Sequence, residues 1–134
     1  MIGRALAHVP FVVACAAIWW VSSHERPPLP SSLGFLGSDK LLHACAYAVL
    51  AALASIDAWR APESARRARF VAAFLATAAY GIVDEVHQSF VPGRDATVAD
   101  AVADAFGAAI GVWLTARTRA HPSTLRASVR VDRS

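Results

Sequence analysis

Acids, imidazoles and amides recur at helical spacing between Asp39 and Asp104, inside stretches that are otherwise apolar. Asp39, His43 and Tyr47 follow one another every fourth residue. Tyr80, Asp84, His87 and Gln88 obey the i, i+4, i+7, i+8 rule, and Asp100 and Asp104 lead into Gly107 and Gly111 on one stripe. Glu85 is rotated about 100° from Asp84 by the helical repeat. Two chemistries suit such a set, and both remain open. Asp39 with His43 and Asp84 with His87 are carboxylate–imidazole pairs of the kind zinc or manganese accepts, although no named signature such as HExxH is present. Metal-free acid–base chemistry would use His43 or His87 as the base and a buried Asp84 or Glu85 as the acid. No nucleophile stands out, since Ser89 is close in sequence but lacks an elbow motif.

Several of these residues also have purely structural readings. A buried hydrogen-bond network fixes helix register in membrane bundles. Thr97 and Asp100 fit a capping box, and Pro92-Gly93 suits the centre of a type II turn. Gly107 and Gly111 form a GxxxG pair suited to close helix packing. Asp57 and Arg60 read as an interfacial ion pair. Arg94, on the turn, is placed to neutralise carboxylates or to bind an anionic ligand. His8, His24 and His121 carry no signal.

The elements that must position these groups are apolar spans. The chain has 134 residues, 56% of them hydrophobic and 17% charged, with a mean hydropathy of +0.42. Long windows hold almost no charge, which marks an all-α integral membrane bundle of one domain. Four transmembrane helices are expected: Ala5 to Ser22, Asp39 (capped by Ser38) to Trp59, Phe70 to about Phe90, and Val98 to Ala116. Pro27, Pro28 and Pro30 make the first connection extended, and Arg60 to Arg69 reads as a basic turn. Residues 1–116 form the membrane domain, and the basic tail 117–134 is expected to be disordered. The first span reads as uncleaved because no polar cleavage region follows it. Cys15 and Cys45 differ in depth and read as two small buried hydrophobes, not a disulfide.

Arg4, Arg60, Arg66, Arg67, Arg69, Arg117 and Arg119 fall on one side of the spans, and Arg26, Lys40 and Arg94 on the other. The positive-inside rule then puts both termini in the cytoplasm, and Trp19-Trp20 against Trp59 and Trp113 mark the two boundaries. With a rise of 1.5 Å per residue, Asp84 stands roughly 21 Å above Phe70, in the outer part of a core about 30 Å thick. Three spans, the second, third and fourth, can hide such groups only by turning them toward one another. The expected pocket therefore faces outward and joins Asp39, Lys40, His43, Tyr47, Tyr80, Asp84, Glu85, His87, Gln88, Arg94, Asp100 and Asp104. The net charge of +3 sits at span ends, without a basic soluble surface for nucleic acid.

At Asp39-Lys40 with His43 and Tyr47, at YGIVDEVHQSFVPGR, and at Asp100 with Asp104 and the two glycines, the chain resembles the VanZ family over about Asp39 to Leu114. The resemblance implies a small multi-pass protein of the bacterial cytoplasmic membrane, in a family named for a member tied to low-level teicoplanin resistance. It supplies no reaction. Members usually carry Asn where this chain has Asp104, so a role that needs a neutral amide there is in doubt. Two functions follow as expectations. The first is a pocket that binds an envelope lipid, a cell-wall precursor or a lipoglycopeptide tail. The second is an embedded hydrolase or transferase acting on a lipid-linked substrate, with or without a divalent metal.

Overall fold

A computed structural model describes residues 2–25 and 39–119, and within them it is helical. Its elements are α1 (Ile2–Ser22), α2 (Asp39–Ala54), α3 (Ile56–Arg60), α4 (Glu63–Gln88) and α5 (Val98–Arg119). Three stretches are long and apolar enough to cross a membrane, Lys40–Arg60, Glu63–Gln88 and Val98–Thr118, and His8–Ser22 is a shorter apolar helix. The extended connection from residue 26, the Ser38 cap, the Asp39 side chain, His121 and the tail beyond Arg119 lie outside the described residues, whereas residues 117–119, expected to be disordered, continue α5.

Two boundaries differ from expectation. The second span is broken at Ser55, whose fully buried hydroxyl donates to the Ala51 carbonyl at 2.7 Å. A serine bonded back onto the preceding turn perturbs the regular helix locally, and α3 continues the same apolar span to Arg60. The basic turn before the third span shrinks to Ala61 and Pro62, both extended, and α4 starts at Glu63. Glu63 favours that helix start through the helix dipole, and Arg66 reaches back to it at 3.0 Å. The fourth span begins at Val98 as expected.

Burial is inverted relative to a water-soluble protein. Asp84, Asp104, Thr77 and Ser55 are at most 1% exposed, whereas Phe90 and Val98 are 80% and 83% exposed. Such a surface suits hydrocarbon, and the polar groups turn inward to find partners. Cys45, expected to be buried, is exposed on this apolar surface, and both cysteines are free thiols.

The contacts order the helices. Cys15, Ser22 and Ser23 of α1 meet Tyr80, Asp84 and His87 of α4 in rising order, so these two run parallel. Lys40 and His43 of α2 meet Asp100 and Asp104 of α5, so they run parallel to each other as well. The connection from Ser89 to Thr97 reverses the chain between α4 and α5. The α2–α5 pair is the tightest in the bundle. Its closeness comes from Gly107 and Gly111, where any β-carbon would overlap the carbonyl oxygens of Ala44 and Ala48.

Candidate functional site

Asp84 and Glu85, adjacent in α4, point to different neighbours, as their rotation about the helix requires, and Gln88 Nε2 joins them, donating to Asp84 Oδ2 at 2.9 Å and to Glu85 Oε1 at 3.4 Å. Asp84 faces α1. Its Oδ2 accepts from Gln88 Nε2 at 2.9 Å and lies 2.9 Å from Ser22 Oγ, whose single proton is shared between Asp84 and the Ile18 carbonyl, also at 2.9 Å. Gln88 in turn accepts from the Arg94 guanidinium at 2.7 Å, so a chain runs from the turn to the interior. The turn itself is built as expected. Arg94 N–H donates to the Val91 carbonyl across Pro92 and Gly93, and Gly93 holds φ at 75°.

Glu85 faces α2 and α5. Its Oε2 accepts from the backbone N–H of Thr97, while Oε1 lies 3.6 Å from His43 Nδ1. His43 Nδ1 is closer, at 2.9 Å, to Asp104 Oδ1. One atom each of His43, Glu85 and Asp104 lie within 4.8 Å of one another. Beside them Lys40 pairs with Asp100 at 2.8 Å. Asp100 also caps α5: its N–H donates to Thr97 Oγ1, and the Thr97 hydroxyl donates to its carboxylate. The capping box is thus present with one change, because the cap residue's own N–H serves Glu85.

Tyr47 lies between the two networks. It is 1% exposed, and its hydroxyl, which lies against Asp84, makes no hydrogen bond of good geometry among the described residues. The same holds for Asp84 Oδ1 and Asp104 Oδ2. A buried polar atom without a partner costs about 1–3 kcal/mol, so a region with such atoms is not built for stability alone. Next to them runs a cavity of about 260 Å³ between α1, α2 and α4. Ala17, Ile18, Val21, Leu42 and Ala46 form its apolar wall, and Ser22, His43, Tyr47, Asp84 and Arg94 its polar lining. No carboxylate among the described residues lies within ion-pairing distance of Arg94, so its role as a neutraliser of acids is replaced by the bond to the Gln88 amide.

The expected residues are therefore not all in one place. His43, Tyr47, Asp84 and Arg94 share the cavity, and Lys40, Glu85, Asp100 and Asp104 form the cluster beside it. Tyr80 instead donates to the Cys15 carbonyl of α1 at 2.6 Å. His87 stacks on Trp19 with ring centroids 3.8 Å apart and bonds Ser23 Oγ through Nε2. The Ser23 hydroxyl also bonds the Trp19 carbonyl at 2.7 Å, which competes with the imidazole for its single proton. The expected metal set of Asp39, His43, Asp84 and His87 is not assembled among the described residues. Asp84 and His87 face α1, because their face of α4 packs there.

The first helix is thus a participant and not only frame, and its Ser22 is the residue sequence reasoning missed most plainly. A Ser at the end of an apolar span, level with an acid on another, was the available signal. Gly81, where three helices converge, was missed as well. At the opposite end of the bundle Asp57 pairs with His8 at 3.0 Å and not with Arg60.

No curated protein and no solved structure matches the chain. The sequence model of the VanZ/LLP1 family matches residues 5–119, which takes in all four apolar stretches and both networks. The chain belongs to the VanZ/LLP1 family of membrane proteins.

Proposed function

We propose that this protein binds an amphiphile, with its hydrocarbon tail along the apolar wall of the cavity and its anionic head at Arg94. The carrying observation is the guanidinium that lines an apolar cavity while bonded, among the described residues, to a neutral amide. A charge with no ion-paired carboxylate among the described residues is stabilised when an anionic group arrives, and Arg presents the planar donors that carboxylate and phosphate accept. An envelope lipid, a lipid-linked cell-wall precursor and the acyl tail of a lipoglycopeptide such as teicoplanin share this chemistry. The basic side chains of Arg60, Arg66, Arg67, Arg69 and Arg117 gather at the opposite end, which supports both termini in the cytoplasm and a cavity opening toward the outer leaflet.

A second reading, a hydrolase or transferase, is favoured by one contact. Asp104 at 2.9 Å orients the His43 imidazole as a carboxylate orients a general base. The test is mass spectrometry of lipid retained through purification in mild detergent, for wild type and Arg94→Gln. Retained anionic amphiphile in the wild type, reduced at least about tenfold in the variant, is the expected result. Equal retention in both would overturn the binding reading, and turnover of the retained lipid on incubation would select the enzyme.

A further inference from the structure

We propose that His43, Glu85 and Asp104 form a binding site for one divalent transition-metal ion of the zinc class. The proposal stands apart from the amphiphile reading and uses a different set of side chains.

Geometry comes first. A tetrahedral zinc site with bonds of about 2.0–2.2 Å to imidazole nitrogen and carboxylate oxygen separates its donor atoms by about 3.3 Å. His43 Nδ1 lies 2.9 Å from Asp104 Oδ1 and 3.6 Å from Glu85 Oε1, one on each side of that value. All three donors lie within 4.8 Å of one another, so only a small closure is needed. They come from α2, α4 and α5, whose positions are fixed by packing at Gly81, Gly107 and Gly111. The ligands are therefore held on rigid elements, and the order in chain carries no local motif.

Charge supplies the second argument. No Lys or Arg among the described residues pairs with Glu85 or Asp104, since Lys40 is taken by Asp100 and Arg94 by Gln88. With both carboxylates ionised, even a protonated His43 leaves the trio at −1, in a region where unpaired charge is costly. A divalent ion with a neutral imidazole brings it to zero. The third argument is independent of both. Asp104 is 0% exposed, yet Oδ2 has no hydrogen-bond partner among the described residues, although it belongs to the carboxylate whose other oxygen is in the cluster. A carboxylate on a metal can use that second oxygen, and one on an imidazole N–H cannot. His43 also lines the cavity beside Asp84 and Arg94, so an ion held here borders the same cavity.

The experiment uses the full chain in detergent, stripped with a chelator, dialysed, and titrated with Zn2+ and Co2+ alone. Calorimetry should show one equivalent bound per chain, Co2+ should acquire the visible absorption of a tetrahedral site, and Zn2+ should raise the thermal midpoint. His43→Gln, Glu85→Gln and Asp104→Asn each remove a ligand. Each should weaken binding more than the about 10–100-fold that loss of a mere supporting partner costs. His8→Gln and His24→Gln should bind as the wild type does. Absence of saturable binding to the wild type overturns the proposal whatever the variants do. So does binding that survives in His43→Gln or Asp104→Asn, or that disappears with His8 or His24. A ligand variant that fails to fold leaves the decision to the wild-type spectrum and to the remaining two.

Discussion

Gly81 of α4 faces Asp104 of α5 so closely that a β-carbon on Gly81 would lie 2.9 Å from the Asp104 Cβ and 3.0 Å from its Oδ2. Tyr47 closes the same point from α2, with its ring 3.2 Å from that position. Three helices thus meet where the two polar networks touch, and only a residue without a side chain lets them do so.

Gly81→Ala should therefore act on the site as well as on stability. Added atoms in a packed interior cost about 1–3 kcal/mol, and the part free to yield is the Asp104 side chain. The expected result is a lowered thermal midpoint together with a disturbed His43–Asp104 bond, read from the His43 ring resonances. An unchanged midpoint and unchanged resonances would show that the three helices are further apart than described.

Gly107→Ala and Gly111→Ala should be harsher. The obstacle here is backbone, the Ala44 and Ala48 carbonyls, and it cannot rotate away as a side chain can. We expect each to separate α2 from α5 and to leave little folded protein in the membrane fraction. Near-normal yield and melting in both would contradict the close parallel pairing of these helices.

Asp84→Asn should keep the fold. Asn keeps one oxygen to accept from Ser22 and Gln88, and its amide takes the place of the carboxylate oxygen that has no partner among the described residues. Melting in detergent should stay close to wild type, and retention of anionic lipid should hold or rise, because a negative charge is removed from the cavity that Arg94 lines. Ser22→Ala removes one of the two donors and should cost about 1 kcal/mol. If Asp84→Asn instead disappears from the membrane, the cluster is a register clamp and not a binding site.

A reporter fused after Arg117 should be active only in its cytoplasmic form, since the basic end of the bundle is expected to face inward. Arg117 already stacks over Trp113 at 4.2 Å, a pairing suited to an interfacial boundary. Activity of an externally active reporter at this position would reverse the orientation and turn the cavity toward the inner leaflet.

Hydropathy alone locates the apolar helices, because every backbone group in hydrocarbon must bond within its own helix and long uncharged runs are the trace of that demand. Helical spacing likewise divides Asp84 from Glu85, and it places His43 with Tyr47 and Asp104 with Gly107, since those relations are local. The turn at Pro92-Gly93 and the cap at Thr97 are legible for the same reason. What spacing cannot supply is the rotation and neighbour of each helix. Whether the face with Tyr80, Asp84 and His87 meets α2 or α1 depends on how all four helices pack, and it meets α1. That choice sends His87 to Trp19, makes Ser22 a partner of Asp84 and leaves Glu85 and Asp104 to share His43. His8 and Asp57, far apart in the chain, pair for the same reason. Each of these contacts is non-local, and only tertiary packing, set by small residues such as Gly81 and Gly107 and by the need to pair buried polar atoms, decides it.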